Sequence, residues 1–435
     1  MAINNVKGTH DVIAEEANGF NYIENLLKQI CELFAYNEVR PPVLEYSELF
    51  VRGVGEASDV VRKEMYTFLD KAERSVTLRP EFTAGIMRLI IQNKLLATNE
   101  LPLKVYYVGP VFRYERPQLG RYRQFNQFGV EAVGNASPEI DVENIVLAYT
   151  ILTSLNLEDV KIKINTLGDN ESRLNYKNAL KAFFAKHLDK MCADCHSRFE
   201  LNPLRILDCK VPEDQEIVKG APKMKDYLTE AAKERFTRIL ELLDAMDIPY
   251  EVDETLVRGL DYYSETIFEF HYTSQNGNNY GAIGGGGHYD GLVKELGGPD
   301  VAGVGFSFGI ERLYSVLKDD DLLPDGLNNP VELYVMPLGD KAKVLAMQTA
   351  AALRISGYRV DYCFEDVKLG NMFKRAERKG AQFAIIIGEN EVEKEEVIIK
   401  NLQTTEQISC PLEKLIEKIG QMMGEECCGG NCQCN

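Results

Sequence analysis

The chain has 435 residues, 45% of them apolar, and a formal net charge of −18. That length accommodates two or three domains, and no apolar run reaches the length of a membrane span. The opening MAINNVKGTHD lacks the apolar core of a signal peptide, so a soluble, intracellular (cytoplasmic) protein is expected. The acidic total discourages nonspecific nucleic-acid binding but leaves room for a local basic patch. Of the ten cysteines, six are scattered and four crowd the last nine residues, which does not make a disulfide framework.

In chain order, Phe20, Ile23, Leu27, Ile30 and Phe34 share one helical face. Asn37–Leu44 reads as extended, limited by Pro41-Pro42. MYTFLD and Ser75–Leu78 read as strands, and Ala84–Leu96 as a helix. Glu81 sits at the strand-to-helix junction, where site residues concentrate; an acid there also suits a helix dipole.

The stretch Gly109–Glu131, GPVFRYERPQLGRYRQFNQFGVE, reads as strand, basic loop and returning strand. Val105, Tyr107, Gly109, Val111 and Arg113 share one parity. Phe125, Gln127, Gly129 and Glu131 share one on the way back. Period two puts each set on one face. Arg116, Arg121 and Arg123 stand in the loop against the single acid Glu115. Such a cluster suits an anionic, planar partner; a solvated hairpin tip is the plain alternative.

Ser137–Leu155 reads as a helix capped by Ser137 with Pro138 in its first turn. Val160–Leu167 alternates as a strand. Residues 171–243 then turn helical and charged, as an inserted module. There Cys192-x-x-Cys195-His196, with Cys209 further on, raises the question of a metal. His196 as fourth ligand beside Cys195 is strained, so structural cysteines and no bound metal are expected. LVRGLDYY, residues 256–263, leads into SETIFEFHY, with Arg258 expected to open a strand. The glycines of GGGGHYDGL permit close backbone approach but match neither the dinucleotide nor the Walker pattern. VGFSFGIERL runs from strand into helix at Gly309, and Arg312 suits either a buried ion pair or an anion.

Residues 322–330 are linker-like. Strands over Glu332–Met336, Tyr358–Cys363, Phe383–Ile387 and Glu396–Leu402 alternate with helices over Lys341–Ile355, Asn371–Lys379 and Leu412–Met422. That order describes a small α/β domain. Lys374, Arg375, Arg378 and Lys379 form a basic helix edge that suits a phosphate backbone or merely solvent. The tail ECCGGNCQCN is too short and glycine-rich to fold alone; its thiols suit a soft metal, and no structure is expected of it.

These motifs resemble the class II aminoacyl-tRNA synthetases. FRYERPQLGRYRQFNQFGVE is similar to their second signature motif in the form used by histidyl-tRNA synthetases. LVRGLDYY and GGGGHYDGL resemble the two motifs peculiar to that family, VGFSFGIERL the third class motif, and the first helix with its proline-marked strand the dimer-forming first motif. CADCHSRFELNPLRILDCK resembles the insertion of the bacterial enzymes, which have no zinc requirement there. The resemblance covers about residues 1 to 424.

It implies an α/β fold with an α+β catalytic domain over 1–325: an antiparallel sheet flanked by helices, with the helical insertion at about 171–243. A linker at 326–330, an anticodon-binding domain over 331–424 and the tail over 425–435 would follow. The implied activity joins histidine, through histidyl-adenylate, to the 3′-terminal adenosine of tRNA(His). ATP is consumed with Mg²⁺, and the partners are tRNA(His) and a second copy of the chain, with no membrane.

Histidine contacts would be Glu81, Thr83, Arg113, Gln127, Glu131, Arg258, Tyr263 and Tyr289, with Arg113 and Arg258 catalytic. ATP would meet Arg113, Glu115, Arg121, Phe125 and Arg312. tRNA would meet Arg116, Gln118, Arg123, Lys374, Arg375 and Arg378. Two departures stand out. The family usually has glycine where Phe82 stands, a change expected to narrow or slightly reshape the amino-acid pocket. It usually has arginine where His288 stands, a change expected to remove a cation near the pocket mouth. The alternative is a catalytically silent paralogue serving as regulatory subunit of ATP phosphoribosyltransferase. Such relatives lack the C-terminal domain and often the ATP arginines, which this chain keeps.

Overall fold

The computed structural model describes residues 3–56, 58–115, 121–327 and 330–424. Arg116, Gln118 and the cysteine tail lie outside the described residues. The chain divides into two units, 1–324 and 325–435.

In the first unit, α1 (Ala14–Leu33) buries Phe20, Ile23, Leu27 and Ile30, the face that its periodicity defines. The extended stretch after it becomes two strands, β1 (Asn37–Glu38) and β2 (Leu44–Tyr46), in different sheets. Pro41 and Pro42 separate them because neither can donate to a ladder. After α2 (Ser47–Val54) come β3 (Tyr66–Leu69) and β4 (Ser75–Leu78), which form a small antiparallel sheet in the order β2-β4-β3. α3 (Thr83–Gln92) and the short α4 (Leu95–Thr98) lead to a long hairpin, β5 (Leu103–Phe112) and β6 (Gln124–Val133).

α5 (Pro138–Ser154) starts where the sequence indicated, but the Ser137 hydroxyl makes no capping bond. Instead the Ser137 backbone N–H donates to Asn135 Oδ1 at 2.7 Å. β7 (Lys161–Thr166) precedes the helical stretch α6 (Asn170–Phe184), α7 (Ala193–Leu201), α8 (Pro212–Val218) and α9 (Glu230–Ala245). That stretch serves two cores. Tyr176, Leu180, Phe184, Cys195, Ile206 and Met224 close a small core of their own. Ile239 and Leu243 of α9 pack into the main core instead.

β8 (Glu251–Val252), β9 (Ser264–Thr273), β10 (Asn279–Tyr289), α10 (Leu292–Glu295), β11 (Gly303–Gly309) and α11 (Ile310–Asp319) complete the unit. The main sheet has eight strands in the order β1-β5-β6-β11-β10-β9-β7-β8. It is antiparallel from β5 to β7 and parallel only at its two short edges. One face carries Phe128, Val130, Phe268, Phe270, Phe306 and Phe308 under α1, α5, α9 and α11. The other carries Val105, Tyr107, Ile267 and Tyr289 beside Ile86 and Ile90 of α3. The functional groups lie on this second face.

The second unit holds β12 (Leu333–Pro337), α12 (Asp340–Ile355), β13 (Val360–Tyr362), α13 (Leu369–Arg378), β14 (Phe383–Ile387), α14 (Glu389–Lys394), β15 (Glu396–Asn401), β16 (Gln407–Pro411) and α15 (Leu415–Met423). Its five strands run β13-β12-β14-β15-β16. β14, buried on both faces, matches its apolar run (Phe383–Ile387) residue for residue. β16 and α14 were not legible, because both are short and polar.

Candidate active site

The β5–β6 register pairs Val105 with Glu131, Tyr107 with Gly129, Gly109 with Gln127 and Val111 with Phe125. The two parities read from the sequence therefore face each other across one ladder, on the side away from α1 and α5. With β10, β11, the start of α11 and the coil before β9 they line a cavity of about 380 Å³. Every residue that the resemblance assigned to histidine or ATP lines it.

One end is enclosed and built around Glu131, which is 1% exposed. Its Oε1 accepts from the Thr83 hydroxyl at 2.7 Å and the Tyr107 hydroxyl at 3.3 Å, and its Oε2 from Tyr289 at 2.6 Å. Burial raises its pKa to about 7, and the three hydroxyls offset only part of that rise. The carboxylate has room because residue 305 is glycine: a Cβ there would collide with Oε2. Glu81 accepts from the backbone N–H groups of Thr83 (2.7 Å) and Ala84 (3.0 Å) at the start of α3, and burial raises its pKa too. It thus combines the helix-start role with a place in the cavity wall. Tyr263 is buried beside Tyr262, ring centroids 4.6 Å apart.

The other end is cationic. The Arg113 guanidinium lies 5.5 Å from the Phe125 ring and donates through Nε to the Pro80 carbonyl at 2.8 Å. Glu115 is shared between Arg113 at 3.9 Å and Arg121 at 3.4 Å. Arg312 donates to the Ala282 carbonyl, and among the described residues no carboxylate stands within ion-pair distance of it. Burial and the neighbouring Arg121 hold its pKa below the ordinary value. Three guanidinium groups with one carboxylate between them call for an anion.

Between the two ends, Arg258 pairs with Glu269 at 2.5 Å and lies 5.5 Å from the Tyr263 ring. It stands in coil ahead of β9 and does not open a strand, contrary to the sequence expectation. Gly285 lets it in, since a Cβ there would come within 2.7 Å of Arg258 Nη1. Gln127 donates to Ser307 Oγ at 2.6 Å, and its buried Oε1 has no partner. An unsatisfied buried acceptor facing a cavity is ready for an N–H donor.

Two further expectations change. Phe82 does not line the cavity. It is buried behind Tyr107, stacked at 4.3 Å, with the Arg79 guanidinium 3.9 Å over its other side. His288 is not at the cavity mouth either. It is 1% exposed and turned toward α5, with Nδ1 2.7 Å from Asp141 and Nε2 3.0 Å from Asp290. Arg235 of α9 joins Asp141 at 2.7 Å. Burial opposes the charged ring, but the two carboxylates outweigh it and raise its pKa to about 9. His288 is an imidazolium at neutral pH, so a cation persists at that position.

Of the residues assigned to RNA, Arg123 lies at the start of β6 with its guanidinium 3.8 Å over the Tyr114 ring, outside the cavity. On α13, Lys374 and Arg378 are exposed, while Arg375 pairs with Glu365 and Lys379 with Asp361. The basic edge is therefore half neutralised. Tyr107, Glu269 and Ser307 were missed as site residues. Tyr107 and Glu269 have the right strand parity, which was the signal available.

An antiparallel sheet of this order, carrying on one face an enclosed carboxylate and an arginine cluster drawn from the segment between β5 and β6 and from α11, defines a class II aminoacyl-tRNA synthetase catalytic unit. Residues 8–313 match the family model of histidyl-tRNA synthetase, and 332–422 that of the anticodon binding domain. The histidine–tRNA ligase of Bacillus subtilis (strain 168) is 44% identical over 420 residues, 96% of this chain and 98% of that protein. The crystal structure of apo S. aureus histidyl-tRNA synthetase superposes with a TM-score of 0.82 at 36% identity, covering 96% of this chain and 99% of that one. The chain belongs to the histidyl-tRNA synthetase family. A Bacillus halodurans structure described as an ATP phosphoribosyltransferase regulatory subunit/histidyl-tRNA synthetase shares the fold at 22% identity and a TM-score of 0.62, over 89% of this chain and 99% of that one.

Proposed function

We propose that the cavity condenses L-histidine with ATP into histidyl-adenylate, and that the same unit passes histidine to the 3′-terminal adenosine of tRNA(His). The observation that carries this reading is the polarity of one cavity: a buried carboxylate at the closed end, and guanidinium groups short of counter-ions at the other. The closed end suits a ring N–H inside an apolar enclosure, and the cationic end suits a polyphosphate.

In this reading Glu131 accepts from one imidazole nitrogen and Tyr263 meets the other, with Tyr289 holding Glu131 in place. Gln127 Oε1, Glu81 and Thr83 take the α-ammonium group. Arg258 takes the carboxylate, and Arg113 bridges it to the α-phosphate. Phe125 stacks on adenine, Arg121 and Glu115 hold the bent nucleotide, and Arg312 takes the γ-phosphate. A histidine carboxylate oxygen attacks the α-phosphorus, the bond to the β-phosphate oxygen breaks, and pyrophosphate leaves. The carboxylate is already ionised, so no general base is needed. The chain's work is to align the two groups and offset the charge that develops.

Magnesium ions on the nucleotide would neutralise phosphate oxygens during this step. Glu115 is a hard oxygen donor suited to them at that end. In the second step a terminal ribose hydroxyl attacks the acyl carbonyl and AMP departs.

Arg116, Gln118 and Arg123 would meet the acceptor end of the tRNA, and Lys374, Arg375 and Arg378 its anticodon side. The exposed Lys374 and Arg378 support the latter most. A homodimer is proposed through the small β2-β4-β3 sheet, which leaves Tyr46 53% and Leu69 66% exposed. A cytoplasmic location goes with this reading; among the described residues no helix is long and apolar enough to cross a membrane.

The test of the assignments is competition between histidine and histidinol, which lacks the carboxylate. Arg258→Ala should raise the KM for histidine in pyrophosphate exchange about 10- to 100-fold, the scale of a charge-assisted bond. Histidinol inhibition should move far less. Equal losses for both ligands would remove Arg258 from the carboxylate.

A further inference from the structure

Against the sequence expectation of structural cysteines and no bound metal, we propose that Cys192, Cys195, Cys209 and Asp214 form a zinc-type metal site that ties the helical insertion together and braces the coil carrying Arg258. The four ligand atoms lie within 4.8 Å of one another. Cys192 Sγ and Cys209 Sγ are 3.9 Å apart, and Cys209 Sγ is 3.1 Å from Asp214 Oδ2. A tetrahedral zinc with Zn–S near ~2.3 Å and Zn–O near ~2.1 Å sets neighbouring sulfur atoms about 3.8 Å apart and sulfur from oxygen about 3.6 Å. The sulfur–sulfur spacing fits, while the sulfur–oxygen spacing is about 0.5 Å shorter, the length of a thiol-to-carboxylate hydrogen bond.

A second observation is independent of the thiols. Asp214 is 1% exposed, yet among the described residues no basic side chain pairs with it. Its carboxylate accepts from the Cys192 N–H, 3.2 Å from each oxygen, and is faced by all three thiols, with the Cys209 sulfur at 3.1 Å. A buried carboxylate without a basic partner is costly, and its oxygen stands where a fourth tetrahedral ligand would complete three thiolates. Cys192 and Cys195 sit at the N-cap and in the first turn of α7, which places both sulfur atoms on the side of Cys209 and Asp214. His196, the fourth ligand considered from sequence, is exposed and points away from this role. The carboxylate that completes the set lies 22 residues beyond Cys192.

What the site would hold in place is visible at the other end of α7. Arg198 pairs with Asp59 at 3.3 Å. Asn202 donates to Asp261 Oδ1 at 2.9 Å, and Arg205 to the Gly259 carbonyl at 3.0 Å. Gly259 and Asp261 flank the coil between Arg258 and Tyr262. Each cysteine binds as thiolate, with its proton released to solvent.

The test uses the full-length chain with Cys427, Cys428, Cys432 and Cys434 changed to serine, so that tail thiols contribute nothing. Expressed with zinc, it should hold one zinc per chain by elemental mass spectrometry. With cobalt(II) it should show thiolate charge-transfer and tetrahedral d–d bands. Adding Cys195→Ser or Asp214→Asn should remove or sharply weaken the metal and raise the histidine KM several-fold, with the ATP KM less affected. Absence of stoichiometric zinc in the tail-serine protein, zinc unchanged by Cys195→Ser, or a Cys192–Cys209 disulfide in freshly isolated protein would overturn the proposal. If the variants fail to fold, the cobalt spectrum of the tail-serine protein decides alone: bands without thiolate character overturn the site.

Discussion

Glu131→Gln separates the recognition role of this carboxylate from its effect on stability. In the ligand-free protein Glu131 is enclosed, and its pKa is raised from 4.5 to about 7. A raised pKa means that the folded form holds a proton the unfolded chain has released. The favourable contribution is complete below about pH 4.5 and lost as pH rises through about 7. At about pH 8 the ionised group therefore costs stability, on the order of 3 kcal/mol for that shift. Glutamine can keep its oxygen as acceptor for the Thr83 and Tyr107 hydroxyls and turn its NH2 to the Tyr289 hydroxyl, which then accepts, without the buried charge. The variant should unfold at higher temperature or denaturant than the parent at about pH 8 and lose that advantage at about pH 5. It should also lose the charge-assisted bond to the imidazole N–H, roughly 1–3 kcal/mol, or about 5- to 150-fold in the histidine KM. Pyrophosphate exchange reads the second effect and denaturant melts at the two pH values read the first. A variant with unchanged histidine KM, or one less stable than the parent at pH 8, would refute the reasoning.

Three further outcomes are expected. Arg123→Ala should leave pyrophosphate exchange intact and slow tRNA charging, because Arg123 stands outside the cavity; impaired exchange with normal charging would reverse the assignment. His288→Leu should destabilise the first unit by roughly 1–3 kcal/mol at neutral pH, since Asp141 keeps Arg235 and the part-exposed Asp290 keeps Ser264 while both lose the imidazolium. Because the His288 pKa is raised to about 9, the gap between parent and variant should be full below about pH 6.5 and close as pH passes about 9, as followed by urea melts. Truncation after Gly424 should leave steady-state charging unchanged; activity lost on truncation, and restored by zinc only in the full-length chain, would contradict this.

The hairpin was the most legible part because period-two alternation fixes side-chain direction. Once Val105 and Glu131 were assigned to one face, the pairing across β5 and β6 followed. Contacts between distant segments were not legible. Nothing local to His288 announces Asp141 of α5, so its place in the family's arginine position suggested a lost cation rather than a buried imidazolium. Arg258 was expected to open the strand that its stretch leads into, whereas that strand begins only at Ser264 and Arg258 stands in the coil before it. Asp214 lies too far along the chain from Cys192 for a spacing rule, and only the fold of α7 and α8 brings it to the thiols. Ser137 fits the cap position by residue type, but its hydroxyl is engaged by the Glu139 side chain and makes no capping bond.

The central claim is that this cavity couples histidine to ATP. Amino-acid-dependent ATP–pyrophosphate exchange by the full-length chain, with Mg²⁺ and without tRNA, tests it most directly. The account predicts exchange with histidine, little or none with other amino acids, and loss of exchange in Arg258→Ala. A folded chain that binds histidine but supports no exchange would contradict it and favour a regulatory subunit of ATP phosphoribosyltransferase.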